Sequence, residues 1–196
     1  MPLGANKAAI MGVAGVSTGD VVLIYNENHS NVSAAAITSG ITATYGEYII
    51  KCYNLNPVTD GANWTFQAST DGGSSYGVTV TTAASRGYHT EDDSATAVGY
   101  LTGRDLAQST SYHQLVYEID NAADASAATV LHLFNPASTT YVKNFYSRTA
   151  GMHSAPAATD YLTAGYFNTT SAINALNFKF DSGNFDGRIK MWGVKQ

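Results

Sequence analysis

The feature that most constrains the fold is an alternation of short apolar–polar runs with turns rich in Gly and Asp. In residues 64–68, Trp, Phe and Ala alternate with Thr and Gln, and in residues 176–181, Leu and Phe alternate with Asn, Lys and Asp. A two-residue period of this kind is typical of a half-buried strand. No long segment carries the sustained apolar repeat of about 3.6 residues that marks an amphipathic helix. The sequence therefore predicts an all-β fold.

The predicted strands share β-branched or aromatic residues and are separated by residues that favour turns. They span residues 21–25, 47–54, 64–69, 76–81, 113–119, 129–135, 141–148, 160–168, 173–181 and 188–194. About ten short strands with short connections predict an antiparallel β-sandwich that is jelly-roll-like, with an open barrel as the alternative. At 196 residues, the chain suits one domain. We expect this domain to span residues 20–196, after an extended N-terminal arm of residues 1–19.

The N-terminal arm is rich in Gly and Ala and lacks clear periodicity. Termini are usually loose unless something ties them down. Ile10, Met11, Val13 and Val16 are too apolar for a well-solvated tail, so we predict that they contact a partner subunit, with a loose tail as the alternative. The arm also weakly imitates a signal peptide. Because Lys7 stands late and no clear cleavage site follows, we expect no cleaved signal.

Charge in this chain is sparse and acidic. Lys and Arg number 10 against 15 Asp and Glu, the net charge is −5, and charged residues make up 13% of the chain. A nucleic-acid binder needs a basic patch to displace counterions from phosphates, so we expect no nucleic-acid partner. No apolar run approaches the roughly 20 residues of a membrane-spanning helix, so we expect no membrane partner. Weak self-repulsion suits a subunit that packs against neighbours.

Two segments rich in Asp and Gly predict tight hairpins. Residues 69–76 read Ser-Thr-Asp-Gly-Gly-Ser-Ser-Tyr and fit the Asp-box pattern, in which Asp and Ser side chains bond local backbone amides. We predict that this turn joins strands 64–69 and 76–81. A propeller would need about four or more blades, and the box occurs once. Asp181, Asn184 and Asp186 are also rich in oxygen, but neighbouring glycines favour a second hairpin over an ion site.

Residues 82–107 are less regular and predict a long exposed loop. Long loops in compact domains are often functional, so we expect a contact surface here, with Tyr88 and Tyr100 as partner contacts. The chain has 13 tyrosines, which suit protein interfaces and sugar-binding faces as well as ordinary strands. Glu91, Asp92 and Asp93 match no calcium-loop spacing, so we predict a solvated acidic loop, with bound Ca²⁺ as the alternative.

No motif in the sequence predicts catalysis. The five histidines have no metal-ligand spacing to one another or to Cys52, and neither a Gly-x-Ser-x-Gly elbow nor a phosphate loop occurs. We therefore expect no enzyme and no cofactor. Cys52 is the single cysteine, and its place in a predicted strand indicates a small buried apolar group. His132, in an apolar strand, is expected to be a hydrogen-bonded core or interface group.

Several segments resemble virion structural proteins of marine tailed phages. They are residues 1–12, 69–76, 133–143, 165–174 and 182–193, which together span nearly the whole chain. The resemblance implies a structural role, and such proteins include capsid decoration or cement subunits, head fibres and tail adhesins. It brings no catalytic residues. The ending Gly-x-Ile-x-x-aromatic-Gly is widespread in phage jelly rolls, and here Trp192 stands where Tyr is more usual.

From this resemblance and the low charge we expect a capsid decoration or cement protein on the outer surface of the virion, which stabilises the head by bridging capsomers. Its partners would be the major capsid protein or other virion proteins. We also expect a homo-oligomer, with a trimer favoured. The alternative role is a tail or head-fibre adhesin that binds host surface glycans.

Overall fold

The computed structural model describes residues 19–195, and within them it contains twelve strands and no helix. The strands are β1 (Val21–Val32), β2 (Ala35–Ile37), β3 (Tyr45–Pro57), β4 (Ala62–Ser69), β5 (Val80–Thr90), β6 (Thr96–Tyr100), β7 (His113–Ile119), β8 (Ala127–Phe134), β9 (Lys143–His153), β10 (Ala157–Phe167), β11 (Ala175–Phe180) and β12 (Phe185–Lys195). All of their pairings are antiparallel. The all-β prediction is confirmed.

The strands form one hydrogen-bonded sheet that folds over into two layers. The long layer has eight strands in the order β1-β12-β3-β8-β9-β10-β5-β6, and the short layer has four in the order β7-β4-β11-β2. A single bridge between Ile119 of β7 and His153 of β9 joins the two layers at one corner. The architecture is an antiparallel β-sandwich, as the strand pattern predicts.

Aromatic side chains fill the space between the layers. Ring centroids lie 4.9 Å apart for Trp64 and Phe185, and 5.1 Å apart for Phe66 and Phe145. In each pair one ring comes from the short layer and the other from the long layer. Such pairs contribute about 0.5–1.5 kcal/mol each beyond the apolar area that they bury. We call these four residues the core cluster, and all of them are 2% exposed or less.

Both predicted hairpins are wrong in their pairing. The turn at residues 69–76 leads from β4 in the short layer to β5 in the long layer, and residues 181–184 lead from β11 to β12 in the same way. The bonding within the first turn is nevertheless as expected, since Gly73 N donates to Ser69 Oγ at 2.9 Å and Ser75 N donates to Asp71 Oδ1 at 2.9 Å. Turn chemistry fixes where the chain reverses, but not which strands pair beyond the turn.

The long loop predicted for residues 82–107 is also wrong over most of its length. β5 pairs with β10 from Val80–Phe167 to Thr90–Ala157, and β6 pairs with β5. Strand propensity does not predict β5 and β6, because this stretch contains Ala, Ser and Gly, which do not favour strands. Pairing with β10 overrides that local preference.

β6 forms one free edge of the long layer, because it pairs with β5 alone. All five of its residues are exposed. The edge then continues irregularly: Leu101 N donates to Ala84 O at 2.9 Å, and Thr82 N donates to Leu106 O at 2.8 Å. The residues between these two bonds, 102–105, leave the edge. We call them the edge protrusion.

Within residues 19–195, no helix has the length and apolar character needed to cross a lipid bilayer.

Candidate interaction surfaces

A mostly apolar row of side chains runs across the outer face of the long layer, from one strand to the next. Each member is the direct cross-strand partner of the next: Leu23, Trp192, Ile49, His132, Tyr146, Ala164 and Ala83. We call these seven residues the outer row. Successive side chains alternate between the two faces of a sheet, and their buried neighbours Met191, Ile50 and Phe145 face the short layer. The outer row therefore faces away from the core.

Contacts with neighbouring side chains restrain the aromatic rings of the outer row. The His132 ring stacks on Tyr146 with centroids 4.6 Å apart, and His132 Nδ1 lies 2.5 Å from Glu47 Oε1. Lys51 Nζ lies 5.6 Å from the Trp192 ring centroid. His132 is thus hydrogen-bonded, as predicted, and it lies half-buried on the outer face rather than in the core. Fixed rings lose little rotamer entropy when a partner covers them.

A shallow groove of about 510 Å³ widens the apolar area beside the outer row, with Phe134, Tyr146 and Tyr166 on its walls. A second depression of about 280 Å³ continues from it along Leu162 and Tyr100. Contiguous exposed apolar patches often mark interaction sites. This face is therefore the first candidate surface.

The structure places the two predicted tyrosine contacts on opposite faces. Tyr100 pairs with Ser85 and adds to the outer face, where it is 56% exposed and its hydroxyl donates to Asp105. Tyr88 stands three residues from Ser85 along β5 and so points to the inner face. The structure does not bring Tyr88 and Tyr100 together.

Tyr88 belongs to a second candidate surface, which we call the arginine cluster. Arg86 Cζ lies 4.3 Å from the Tyr88 ring centroid and 4.8 Å from that of Tyr117. Arg104, from the edge protrusion, places its Cζ 4.4 Å from the same Tyr117 ring and its Nη2 3.2 Å from Glu118 Oε1. Two guanidinium groups therefore meet at one aromatic ring near the free edge of the long layer.

His153 closes the inner side of the arginine cluster. Its Nε2 lies 3.1 Å from Glu118 Oε2, although the angles do not suit a hydrogen bond, and its Nδ1 accepts from Ala155 N at 3.0 Å. Burial lowers the pKa of His153, and Glu118 opposes that shift. Glu118 itself has a φ of 54°, a conformation that costs a non-glycine residue free energy and that clusters at functional sites.

The remaining predicted features have ordinary structural roles or lie outside the described residues. Ile10, Met11, Val13 and Val16 belong to the latter group. Cys52 is 1% exposed, as predicted, and burial raises the pKa of its thiol.

The acidic run at residues 91–93 lies in the turn of the β5–β6 hairpin. Ser94 Oγ donates to Asp92 Oδ1 at 2.6 Å, and His89 Nε2 lies 2.8 Å from Asp93 Oδ1. These side chains therefore contact neighbours within the same turn, an arrangement that is typical of a solvated turn. Among residues 19–195, no group of three or more His, Cys, Asp or Glu is placed to hold a metal ion.

Sequence reasoning missed most of both surfaces. The outer row joins residues from seven strands, and only the strand order, which a sequence does not reveal, aligns them. Arg86, Arg104 and Tyr117 meet because the edge protrusion folds back toward β7. The usable signal is that Trp192 falls on the polar phase of a strand whose alternate residues, Ile189 and Met191, are apolar.

Comparison with known proteins gives little further information. No family model matches the chain, and no curated protein matches it significantly. Among solved structures, the galectin LEC-6 of Caenorhabditis elegans is similar over 90% of this chain and 99% of its own, at 9% identity and a TM-score of 0.32. A similarity this low carries no argument about function.

Proposed function

We propose that this chain is a non-enzymatic structural subunit of a tailed-phage virion, in the role of a capsid decoration or cement protein. The observation that supports the proposal is the outer row, an apolar strip across seven strands of a chain that carries few charges. The resemblance of five segments to phage virion proteins is the reason for proposing that the larger assembly is a phage virion. The partners would be the major capsid protein or other virion proteins, at the outer surface of the virion.

Burial of the outer row against a neighbour supplies the binding energy in this proposal. A stable contact usually buries about 1,200–2,000 Å² of total surface, and its central aromatic residues contribute most of the affinity. Trp192 and Tyr146 stand at such central positions. Repetition of the contact over a shell multiplies its effect, and a trimer about a local symmetry axis would present three outer rows at once.

Two tyrosine variants test this role. Tyr146 belongs to the outer row and is 47% exposed, whereas Tyr141 is 73% exposed, precedes β9 and is not a member of the row. We expect Tyr146→Ser to weaken occupancy on purified capsids at least about tenfold, because a buried aromatic anchor is lost. Tyr141→Ser, the matched control, should bind like the unaltered chain. Equal occupancy by both variants would refute the outer row as the contact.

The N-terminal arm has its own test. If Ile10, Met11, Val13 and Val16 clasp a neighbouring subunit, deletion of residues 1–16 should lower capsid occupancy while the melting temperature of the isolated protein stays the same. Undiminished occupancy would remove the arm from the proposal.

A tail or head-fibre adhesin that binds host glycans is the second candidate function. The arginine cluster favours it, because a half-buried arginine beside tyrosine rings at a free sheet edge suits a soluble ligand better than a flat protein contact. A glycan array probed with the isolated protein separates the two roles, since only the adhesin binds host sugars.

A further inference from the structure

Arg86 is the one arginine whose guanidinium has no oxygen partner among the described residues. The chain has four arginines. Arg104 pairs with Glu118, Arg148 with Asp160, and Arg188 with Asn26 Oδ1. Arg86 lies over the rings of Tyr88 and Tyr117. A guanidinium offers five N–H donors in a planar fork that matches a carboxylate, so Arg86 has unused donors at a half-buried position.

The second guanidinium makes a bound anion more favourable at this place. Arg86 and Arg104 approach the same Tyr117 ring, at 4.8 Å and 4.4 Å from its centroid. Like charges that approach the same ring repel one another, and more strongly beside a protein surface than in bulk water. Glu118 is the single carboxylate within ion-pair distance of Arg104 among the described residues, and His153 shares it. An anion between the two guanidinium groups would relieve the repulsion.

Two buried hydroxyl groups lie beside the arginine cluster without a partner. In the β10–β5 register, Tyr161 is directly opposite Arg86 and Thr159 is directly opposite Tyr88. Tyr161 is 0% exposed, and neither its hydroxyl nor Thr159 Oγ1 has a hydrogen-bond partner among residues 19–195. Buried polar groups in native proteins are nearly always paired with protein, water or ligand. These two hydroxyls therefore mark a place where water or ligand atoms are needed.

The other groups of the cluster suit the rest of a sugar. Glu118 is 42% exposed and offers carboxylate oxygens that accept hydrogen bonds from hydroxyls. Tyr88 is half-buried, so part of its ring is open to pack against the C–H face of a sugar ring. β6 lies beside β5 with every residue exposed, which leaves the edge of the cluster open to solvent.

We infer that the arginine cluster binds an acidic saccharide unit, a sugar that carries a carboxylate. Arg86 holds the carboxylate through its planar fork, and Arg104, which contacts the same Tyr117 ring, adds positive charge. Glu118 accepts sugar hydroxyls, and Tyr88 packs on the ring face. This inference deepens the second candidate function by naming its ligand class, and it is independent of the outer row.

Two sugars that differ only in the carboxylate test the inference. Binding of methyl glucuronide and methyl glucoside to the isolated full chain is measured by NMR titration of backbone amides at constant pH and chloride concentration. We expect methyl glucuronide to shift amides of Arg86, Tyr88 and Glu118, and to bind at least about tenfold more tightly than methyl glucoside. A charge-assisted bidentate pair supplies that difference.

Arg86→Gln should weaken glucuronide binding at least about tenfold, whereas the matched control Arg148→Gln, on the outer face, should leave binding unchanged. Thermal melts of both variants show whether the fold persists, and Arg86→Lys, which keeps the charge but loses the fork, provides a second variant. Equal affinity for the two sugars would overturn the inference, as would equal loss in both glutamine variants or unchanged binding in Arg86→Lys. The assembly role is tested separately, by the capsid occupancy of the Tyr146→Ser variant. Failure of the sugar-binding test therefore does not refute that role.

Discussion

The chain has two tryptophans, and they lie in two aromatic regions that are covered very differently. Trp64 belongs to the core cluster and is 0% exposed, whereas Trp192 belongs to the outer row and is half-buried. The core cluster pairs rings across the two layers, whereas the outer row pairs His132 with Tyr146 across two strands of the long layer. The core cluster is enclosed between the layers, and no described residue covers the outer row. The difference indicates that one region stabilises the fold and the other is free to stabilise a contact.

The largest effect should come from the tryptophans themselves. We expect Trp64→Ala to lower the free energy of unfolding by about 3–5 kcal/mol, because it leaves a cavity against Phe178, Phe180 and Phe185. Trp192→Ala should cost about 1 kcal/mol or less and act mainly on assembly. Urea unfolding followed by circular dichroism measures both. Similar losses would mean that the outer row supports the fold as much as the core cluster does.

A buried histidine sharpens the comparison through pH. His113 is 1% exposed and packs between Phe66 and Phe145, and neither of its ring nitrogens has a hydrogen-bond partner within the described part of the chain. Burial lowers its pKa from 6.5 to about 4. The unfolded chain therefore takes up a proton at a higher pH than the folded chain does, so stability falls as the pH drops from about 6.5 to about 4, by up to about 3 kcal/mol.

His113→Leu should flatten this pH dependence. The lowered pKa of His153 acts in the same direction, so a smaller slope should persist in the variant. His132→Leu, in the outer row, is the matched change on the uncovered face. If it flattens the profile as much as His113→Leu does, the core histidine is not the source of the pH dependence.

Two glycines compare the covered and uncovered parts of the long layer. A Cβ at Gly165 of β10 would lie 2.5 Å from Thr81 O and 3.0 Å from Phe145 Cζ, whereas one at Gly99 of β6 would meet nothing within 4 Å. We expect Gly165→Ala to cost about 1–3 kcal/mol through overpacking, and Gly99→Ala to change stability by about 0.5 kcal/mol or less. Thermal or urea unfolding of both variants gives the comparison. Equal stability would show that β10 can shift away from β5.

The smallest effect is expected at the Asp71 turn, outside both aromatic regions. Hydrogen bonds from Ser69 and Ser75 lower the pKa of Asp71 to about 2. Its stabilising contribution is therefore complete above the ordinary aspartate range and is lost as the pH falls through about 2. Asp71→Ala should lower the melting temperature slightly, less than Gly165→Ala does. Asp60→Ala, in another exposed turn, should leave it unchanged.

The sequence predicts most of the strands because a strand that is buried on one face alternates apolar and polar residues. Ile189 and Met191 are buried while Arg188, Lys190 and Trp192 are not, which is the alternation that the sequence shows. The layer to which each strand belongs could not be predicted. A turn such as residues 69–76 bonds in the same local way whether the chain stays in one sheet or crosses to the other.

The candidate surfaces were less predictable than the strands. Residue type predicts Tyr88 and Tyr100 as partner contacts. Both lie at surfaces, but on opposite faces of the sheet. Arg86 gives no sequence signal, because its contact Tyr117 is distant along the chain and reaches it only through the order of the strands. The alternation of apolar and polar residues along β12 identifies Trp192 as outward-facing, but β9 carries polar residues on both faces and gives no such signal for Tyr146.

The edge protrusion has a consequence for how copies of this chain can associate. Exposed sheet edges invite strands from other molecules, and natural proteins block them with short strands or irregular backbone. β6 offers five residues before residues 102–105 leave the ladder, so an incoming strand on this side would meet an obstruction within one strand length. We therefore expect copies of this chain not to extend the sheet edge to edge through β6, even at high concentration, and to associate through the faces of the sheet instead.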